Sequence, residues 1–132
     1  MSFLSSLRER ASAVNAHIVL AEGAEPRVIA AAQTILSTGP AGLAGLARVT
    51  LLGDADTIIR VARAQKCDIT RAKIEDPTSS PLREKLVDEA LRARAKKGIT
   101  RADALALVSN PLYFGADMVR SGLADAGVAG AV

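Results

Sequence analysis

Four short runs, His17-Ile18-Val19-Leu20-Ala21, Arg48-Val49-Thr50-Leu51-Leu52-Gly53, Lys73-Ile74-Glu75 and the small-residue run from Ala126 to Val132, alternate with helix-patterned sequence. This alternation constrains the fold more than any other feature. The first two runs are apolar nearly throughout, not only at every second position, so they read as strands covered on both faces. The segments between strands are long enough to carry a crossover helix back over the sheet, as parallel pairing requires. The expected class is α/β, a three-layer αβα arrangement around a mostly parallel sheet. The third run is weak and is broken by Asp76-Pro77. The last would leave a bare sheet edge.

Local punctuation places the helices. Phe3, Leu4, Leu7, Ala11 and Val14 have helical spacing in a short leading segment. Pro26 suits a first helical turn, and the alanine-rich segment from Val28 to Leu36 ends before Gly39-Pro40. The glycine-rich stretch Gly39 to Gly45 follows a helix and precedes a strand, the reverse of a phosphate-binding loop, and reads as a flexible connection. Asp54 can cap the next helix. Ser80-Pro81 opens a charged helix that Gly98 ends, with serine as cap and proline in the first turn. Thr100 and Asp103 approximate a capping box, and Asn110-Pro111 starts a last helix that stops at Ser121-Gly122.

Composition excludes several functions. The 132 residues include one cysteine, Cys67, and one histidine, His17, too few for an internal disulfide or a four-ligand zinc site. His17 has no partnering serine, cysteine or carboxylate motif for acid–base chemistry, and Cys67, in a loop-like context, is either an inert thiol, the commoner case, or a reactive one. Aromatic residues are Phe3, Tyr113 and Phe114 alone, which argues against nucleic acid as a partner. No run reaches the roughly 18 apolar residues of a membrane span, and the N-terminus lacks the pattern of a secretory signal, so a cytoplasmic location without membrane association is expected. The net charge of +3 is unevenly spread. Residues 80 to 101 hold seven basic side chains against three acidic ones, an excess of +4 that leaves the remainder at −1. Such a helix-sized patch either meets phosphate groups or is a solvated face. On a helical projection Arg94 falls beside Val87, inside the apolar arc of Leu82, Leu86, Ala90 and Leu91, and there it either snorkels at the helix end or meets an anion. Arg83 shares the arc but lies in the first turn, where solvent is within easy reach.

Five strings occur in a family's order and cover nearly the whole chain: Ile18 to Arg27 (IVLAEGAEPR), Val49 to Gly53, Arg94 to Thr100 (RAKKGIT), Asn110 to Val119 (NPLYFGADMV) and Ala124 to Ala131 (ADAGVAGA). Together they resemble the N-terminal portion of phosphate acetyltransferases. The resemblance implies a fold similar to the first part of isocitrate and isopropylmalate dehydrogenases, and an acyltransferase moving acetyl between acetyl phosphate and coenzyme A. Coenzyme A is then a substrate, no cofactor or metal is required, and acetyl phosphate or phosphate is the other small-molecule partner. The family's basic position before Lys-Gly-Ile-Thr falls on Arg94, and its phosphate-holding Ser-Gly-Ala turn falls on Ala129, Gly130 and Ala131, so Arg94 and Gly130 are the implied substrate-binding residues. Ala129 stands where the family has serine, Ala21 where it has proline, and the connection through Gly39, Gly42 and Gly45 is longer than the family's.

Family members are much longer, and their catalytic aspartate, with its neighbouring serine and arginine, lies beyond Val132. The resemblance thus implies that residues 1–132 are a truncated N-terminal portion with no catalytic residue, inactive alone and part of a homodimer when full-length. The alternative is a non-catalytic module that senses acetyl-coenzyme A, like that of hybrid malic enzymes.

Overall fold

The computed structural model describes residues 2–38 and 45–130. Residues 39–44, which carry most of the glycine-rich connection, and residues 131–132 of the expected last strand lie outside the described residues. The elements are α1 (Phe3–Val14), β1 (His17–Leu20), α2 (Pro26–Ser37), β2 (Arg48–Leu52), α3 (Ala55–Ala64), β3 (Lys73–Glu75), α4 (Arg83–Ala93), a 3-10 turn (Ala95–Lys97), α5 (Arg101–Val108), α6 (Pro111–Arg120) and β4 (Ala126–Val128). The four strands form one parallel sheet in the order β3-β2-β1-β4. The expected α/β class and parallel sheet are what the chain adopts.

Strand alternation divides the core in two. Leu20, Val49 and Leu51 point to one face, where Ile29, Ala32 and Leu36 of α2 and Ile58 and Ala62 of α3 cover them. Val19, Ala21 and Leu52 point to the other, against Leu86, Val87 and Ala90 of α4, Ala104 and Val108 of α5, and Phe114 and Met118 of α6. Each fully buried side chain of this size contributes about 1.5–3 kcal/mol relative to exposure. The near-continuous apolar runs of β1 and β2 exist because both faces are used.

Caps behave as their sequences require. Asp54 accepts the Thr57 N–H, Asn110 accepts the Leu112 N–H, and Thr100 and Asp103 form a complete capping box. The charged helix departs from expectation at both ends. It starts at Arg83, three residues after Ser80: the Ser80 hydroxyl donates to the Glu75 carboxylate and accepts the Leu82 N–H, but residues 80–82 form only a turn, closed by the Arg83 N–H on the Ser80 carbonyl. The α-helix also stops at Ala93, so Arg94 is its C-cap and bends away with φ −113° before the 3-10 turn and Gly98 in the left-handed region. Arg83, expected to reach solvent, donates instead to the Pro77 carbonyl and to the Ser109 hydroxyl, the latter at 3.0 Å. The last strand is shorter than its apolar sequence suggested, ending at Val128, and its three residues are exposed at the sheet edge.

Candidate functional site at the strand ends and helix α6

The chain steps outward from β1 to β2 to β3 and then returns to place β4 on the other side of β1. The point between β1 and β4 is therefore a topological switch point, where open α/β sheets bind ligands beyond the carboxyl ends of their strands. A cleft of about 530 Å³ lies at those ends, lined by Glu22, Glu25, Gly53 and the start of α6 at Asn110 to Leu112. Gly23 keeps its floor close to β2: a Cβ there would stand 2.5 Å from the Leu52 carbonyl oxygen, so no other residue fits. Glu25 forms the rim, where its carboxylate caps α2 by accepting the Arg27 and Val28 N–H groups and pairs with the Arg27 guanidinium, which holds it below its ordinary pKa.

Gly130 follows β4 with φ +96°, in the region glycine favours. Its N–H donates to the Glu22 carboxylate, 2.9 Å from Oε1 and 3.1 Å from Oε2. An anionic acceptor from the end of β1 thus already engages the amide implied to meet phosphate.

Arg94 sits elsewhere. It is half-buried over α6, with its guanidinium carbon 5.4 Å from the centre of the Tyr113 ring and its Nε donating to the Tyr113 hydroxyl at 3.4 Å. Arg120 approaches the same ring at 5.7 Å and donates from Nη2 to the same hydroxyl at 3.2 Å. Arg120 is in turn anchored by Asp117, whose Oδ1 accepts its Nε–H at 3.1 Å and its Nη2–H. Asp117 is fully buried and its Oδ2 has no partner among the described residues. Burial pushes this carboxyl above its ordinary pKa; the bonds from Arg120 pull the other way and nearby Glu89 adds to the rise.

Within residues 80–101 only Arg92 and Arg101 form ion pairs among the described residues, so Arg94 shares the lack of a carboxylate with Arg83, Lys85, Lys96 and Lys97; its half-buried place on the Tyr113 ring is what sets it apart. All three carboxylates of that segment are taken, Glu89 by Arg92 at 2.7 Å, and Glu84 and Asp88 by Arg101. Among the described residues Arg94 pairs with no carboxylate and rests on the Tyr113 ring and hydroxyl.

Arg94 and Gly130 are not brought into one contact. They lie on different flanks of α6: Leu112, Ala116 and Val119 face Gly127 and Val128 of β4 across a pocket of about 330 Å³, whereas Tyr113, Asp117 and Arg120 form the flank that carries Arg94. Reading the sequence missed Glu22, Tyr113, Asp117 and Arg120 as site residues. The spacing Tyr113, Asp117, Arg120 (i, i+4, i+7) was a visible signal, since it puts all three on one helix face.

His17 lies at the opposite end of the sheet. Its backbone N–H donates to Asp125 and its Nε2 is 2.7 Å from the buried Thr50 hydroxyl; burial, helped by Arg48, lowers its pKa. It is a strap between strands. Cys67 is half-buried beside a pocket lined by Ile69, Ala72 and Ile74. Among the described residues no group of three or more His, Cys, Asp or Glu side chains is placed to hold a metal ion, and no helix is long and apolar enough to cross a membrane.

Residues 2–132 match the sequence pattern of the family described as phosphate acetyl/butaryl transferase. The chain is 39% identical to a phosphate acetyltransferase of Thermoanaerobacterium thermosaccharolyticum, over all of this chain and 38% of that protein. It is 35% identical to a phosphate acetyltransferase of Synechocystis, over 98% of this chain and 18% of that protein. Its fold superimposes on a phosphotransacetylase from Staphylococcus aureus with a TM-score of 0.86 and 32% identity, covering 98% of this chain and 37% of that one. A phosphotransacetylase from Streptococcus pyogenes gives the same TM-score at 28% identity, over all of this chain and 39% of the other. The chain therefore spans well under half the length of these relatives. With a matching pattern from residue 2 to residue 132 and a parallel sheet that superimposes on solved phosphotransacetylases, the chain belongs to the phosphate acetyl/butaryl transferase family.

Proposed function

We propose that this chain forms part of an acyltransferase that moves an acetyl group between acetyl phosphate and coenzyme A, and that it supplies substrate contacts but not the catalytic residue. The observation that carries this reading is Arg94, a half-buried guanidinium on the Tyr113 ring that has no carboxylate partner among the described residues, in a segment whose acids are all paired with other bases. A forked, permanently charged donor in that state is suited to a phosphate group. In the reaction, the coenzyme A thiol gives up its proton, its sulfur forms a bond to the acetyl carbonyl carbon, and the bond from that carbon to the phosphate oxygen breaks, releasing inorganic phosphate. Arg94 neutralises and orients a phosphorylated substrate, which lowers the barrier through positioning and charge stabilisation. At Gly130 the amide already serves an anionic acceptor, and a phosphate oxygen takes that place when the Glu22 carboxylate swings away. The loss of the serine hydroxyl at Ala129 leaves this turn only backbone donors.

On this reading coenzyme A is a substrate, no cofactor or metal is needed, the full-length enzyme is a cytoplasmic homodimer, and the 132-residue chain alone is inactive. Purified chain supplied with acetyl phosphate and coenzyme A should release no phosphate, yet calorimetry should detect coenzyme A binding that Arg94→Ala weakens by about tenfold or more, the worth of a hydrogen-bonded charge pair. Equal heats for the two proteins would remove Arg94 from the site. Turnover by the chain alone would overturn the division of labour proposed here. Tighter binding of acetyl-coenzyme A than of coenzyme A, without turnover in the longer protein, would favour the sensing module instead.

A further inference from the structure

We infer that Tyr113 is itself a phosphoryl-binding residue, donating its hydroxyl proton to the same group that Arg94 meets, with Arg120 as the positioning residue that aims it. This rests on the reading of Arg94 given above and extends it along the flank of α6.

Hydrogen-bond capacity decides where the Tyr113 proton goes. A tyrosine hydroxyl has one proton to give and two lone pairs to receive. Here Arg94 Nε and Arg120 Nη2 donate to that oxygen at 3.4 and 3.2 Å, which uses both lone pairs. The proton is left pointing away from both guanidiniums, and among the described residues it meets no acceptor. Two cations stacked on one ring, both donating to its oxygen, make an acceptor with negative charge the preferred partner for that proton. Arg94 spends only its Nε–H on Tyr113, so its two Nη groups remain to converge with the hydroxyl on one anion. A phosphoryl group, with three oxygens to accept from a guanidinium and a hydroxyl together, fits this donor set better than a carboxylate does.

Arg120 does not need to touch the ligand. Asp117 grips it through two bonds to Oδ1, and Asp117 is itself completely buried on α6. The chain Asp117 to Arg120 to Tyr113 therefore fixes the phenol oxygen before any ligand arrives, and such preorganisation reduces the cost of binding.

The chain holds a single tyrosine and no tryptophan, so its tyrosine emission reports on Tyr113 alone. Titrating the chain with pyrophosphate at low ionic strength, against a sodium chloride control of matched ionic strength, should give a saturable change in that emission, shifted to at least about tenfold higher concentration in Arg94→Ala. By calorimetry with coenzyme A, Tyr113→Phe, which keeps the ring and removes only the hydroxyl, should bind about tenfold more weakly while its thermal unfolding stays close to that of the parent. Repeating the titrations with dephospho-coenzyme A and with inorganic phosphate tells which source supplies the phosphoryl group: loss of the Tyr113→Phe effect with dephospho-coenzyme A assigns it to the ribose phosphate, and a matching effect with inorganic phosphate assigns it to the acyl-phosphate side. Arg120→Ala should weaken coenzyme A binding in the parent and add nothing in the Tyr113→Phe background, whereas additive losses would make Arg120 a direct contact and overturn its positioning role. If Arg94→Ala weakens binding and Tyr113→Phe does not, this inference falls while the reading of Arg94 stands. If neither variant changes affinity, or the parent chain binds none of the probes, both fall.

Discussion

The two helical layers of this α/β unit do different work on the same sheet. The α2/α3 layer is held by apolar contact, with Ile29, Ala32, Leu36, Ile58 and Ala62 against Leu20, Val49 and Leu51, and its charged side chains sit outside the core. The α4/α5/α6 layer has an equally dry centre around Phe114 and Met118, but three of the four buried polar residues among the described residues also belong to this side: Thr50 pairs with His17, Ser80 with Glu75, and Asp117 with Arg120. Buried polar groups cost free energy unless partnered, and Asp117 is only half partnered. The difference shows where the fold accepts such a cost. It does so on the layer that carries Arg94 and whose last helix opens at the cleft, while the other layer serves as a scaffold.

Cavities should separate the two layers with the largest effect. Phe114→Ala should lower the unfolding free energy by about 3–5 kcal/mol and Leu36→Ala by about 2–5 kcal/mol, measured by urea denaturation. If the layers divide as described, the Leu36→Ala chain, in conditions where it stays folded, should bind coenzyme A as the parent does, and the Phe114→Ala chain more weakly because α6 shifts. Equal losses of affinity would erase the distinction.

A smaller effect tests the half-partnered carboxyl. Asp117 holds its proton to higher pH folded than unfolded, so the folded state binds more protons in the window from the ordinary value of 3.8 upward. Its contribution is fully favourable below 3.8 and is lost as pH rises through the folded value. Asp117→Asn should therefore flatten the stability profile above the ordinary value of 3.8, with the largest gain relative to parent at pH values above the folded-state titration. An unchanged slope would mean that Arg120 compensates the buried charge fully. The smallest effect belongs to the solvated face. Arg101→Ala, which frees Glu84 and Asp88 at the surface, should change stability by less than about 1 kcal/mol, and a larger loss in thermal unfolding would show that this ion pair is structural.

Much of this was written in local sequence. The runs from His17 and from Arg48 had to be strands covered on both faces because they are apolar without alternation, and Asp54, Thr100 and Asn110 had to begin helices because their side chains satisfy the free amides of a first turn. The excess charge of residues 80–101 and the unusual place of Arg94 could be read from spacing alone. What the sequence could not state was which acids would meet which bases. The segment's own formula leaves four positive charges in excess but does not say that Arg92 and Arg101 take the carboxylates and Arg94 none. Likewise the projection that put Arg94 in the apolar arc assumed a helix continuing through it. The helix ends one residue earlier, and it is the bend there, together with the packing of α6 across α4, that lays the guanidinium on Tyr113.

The sequence by itself thus determined the elements, their order and the parallel sheet, because these follow from side-chain periodicity and caps that act over a few residues. The tertiary structure decided that Gly130 would be held by Glu22, 108 residues away, and that Arg94, Tyr113, Arg120 and Asp117 would form one linked group. Those contacts depend on where elements distant in sequence come to rest, which the sheet order and the packing of α6 establish only after the chain has folded.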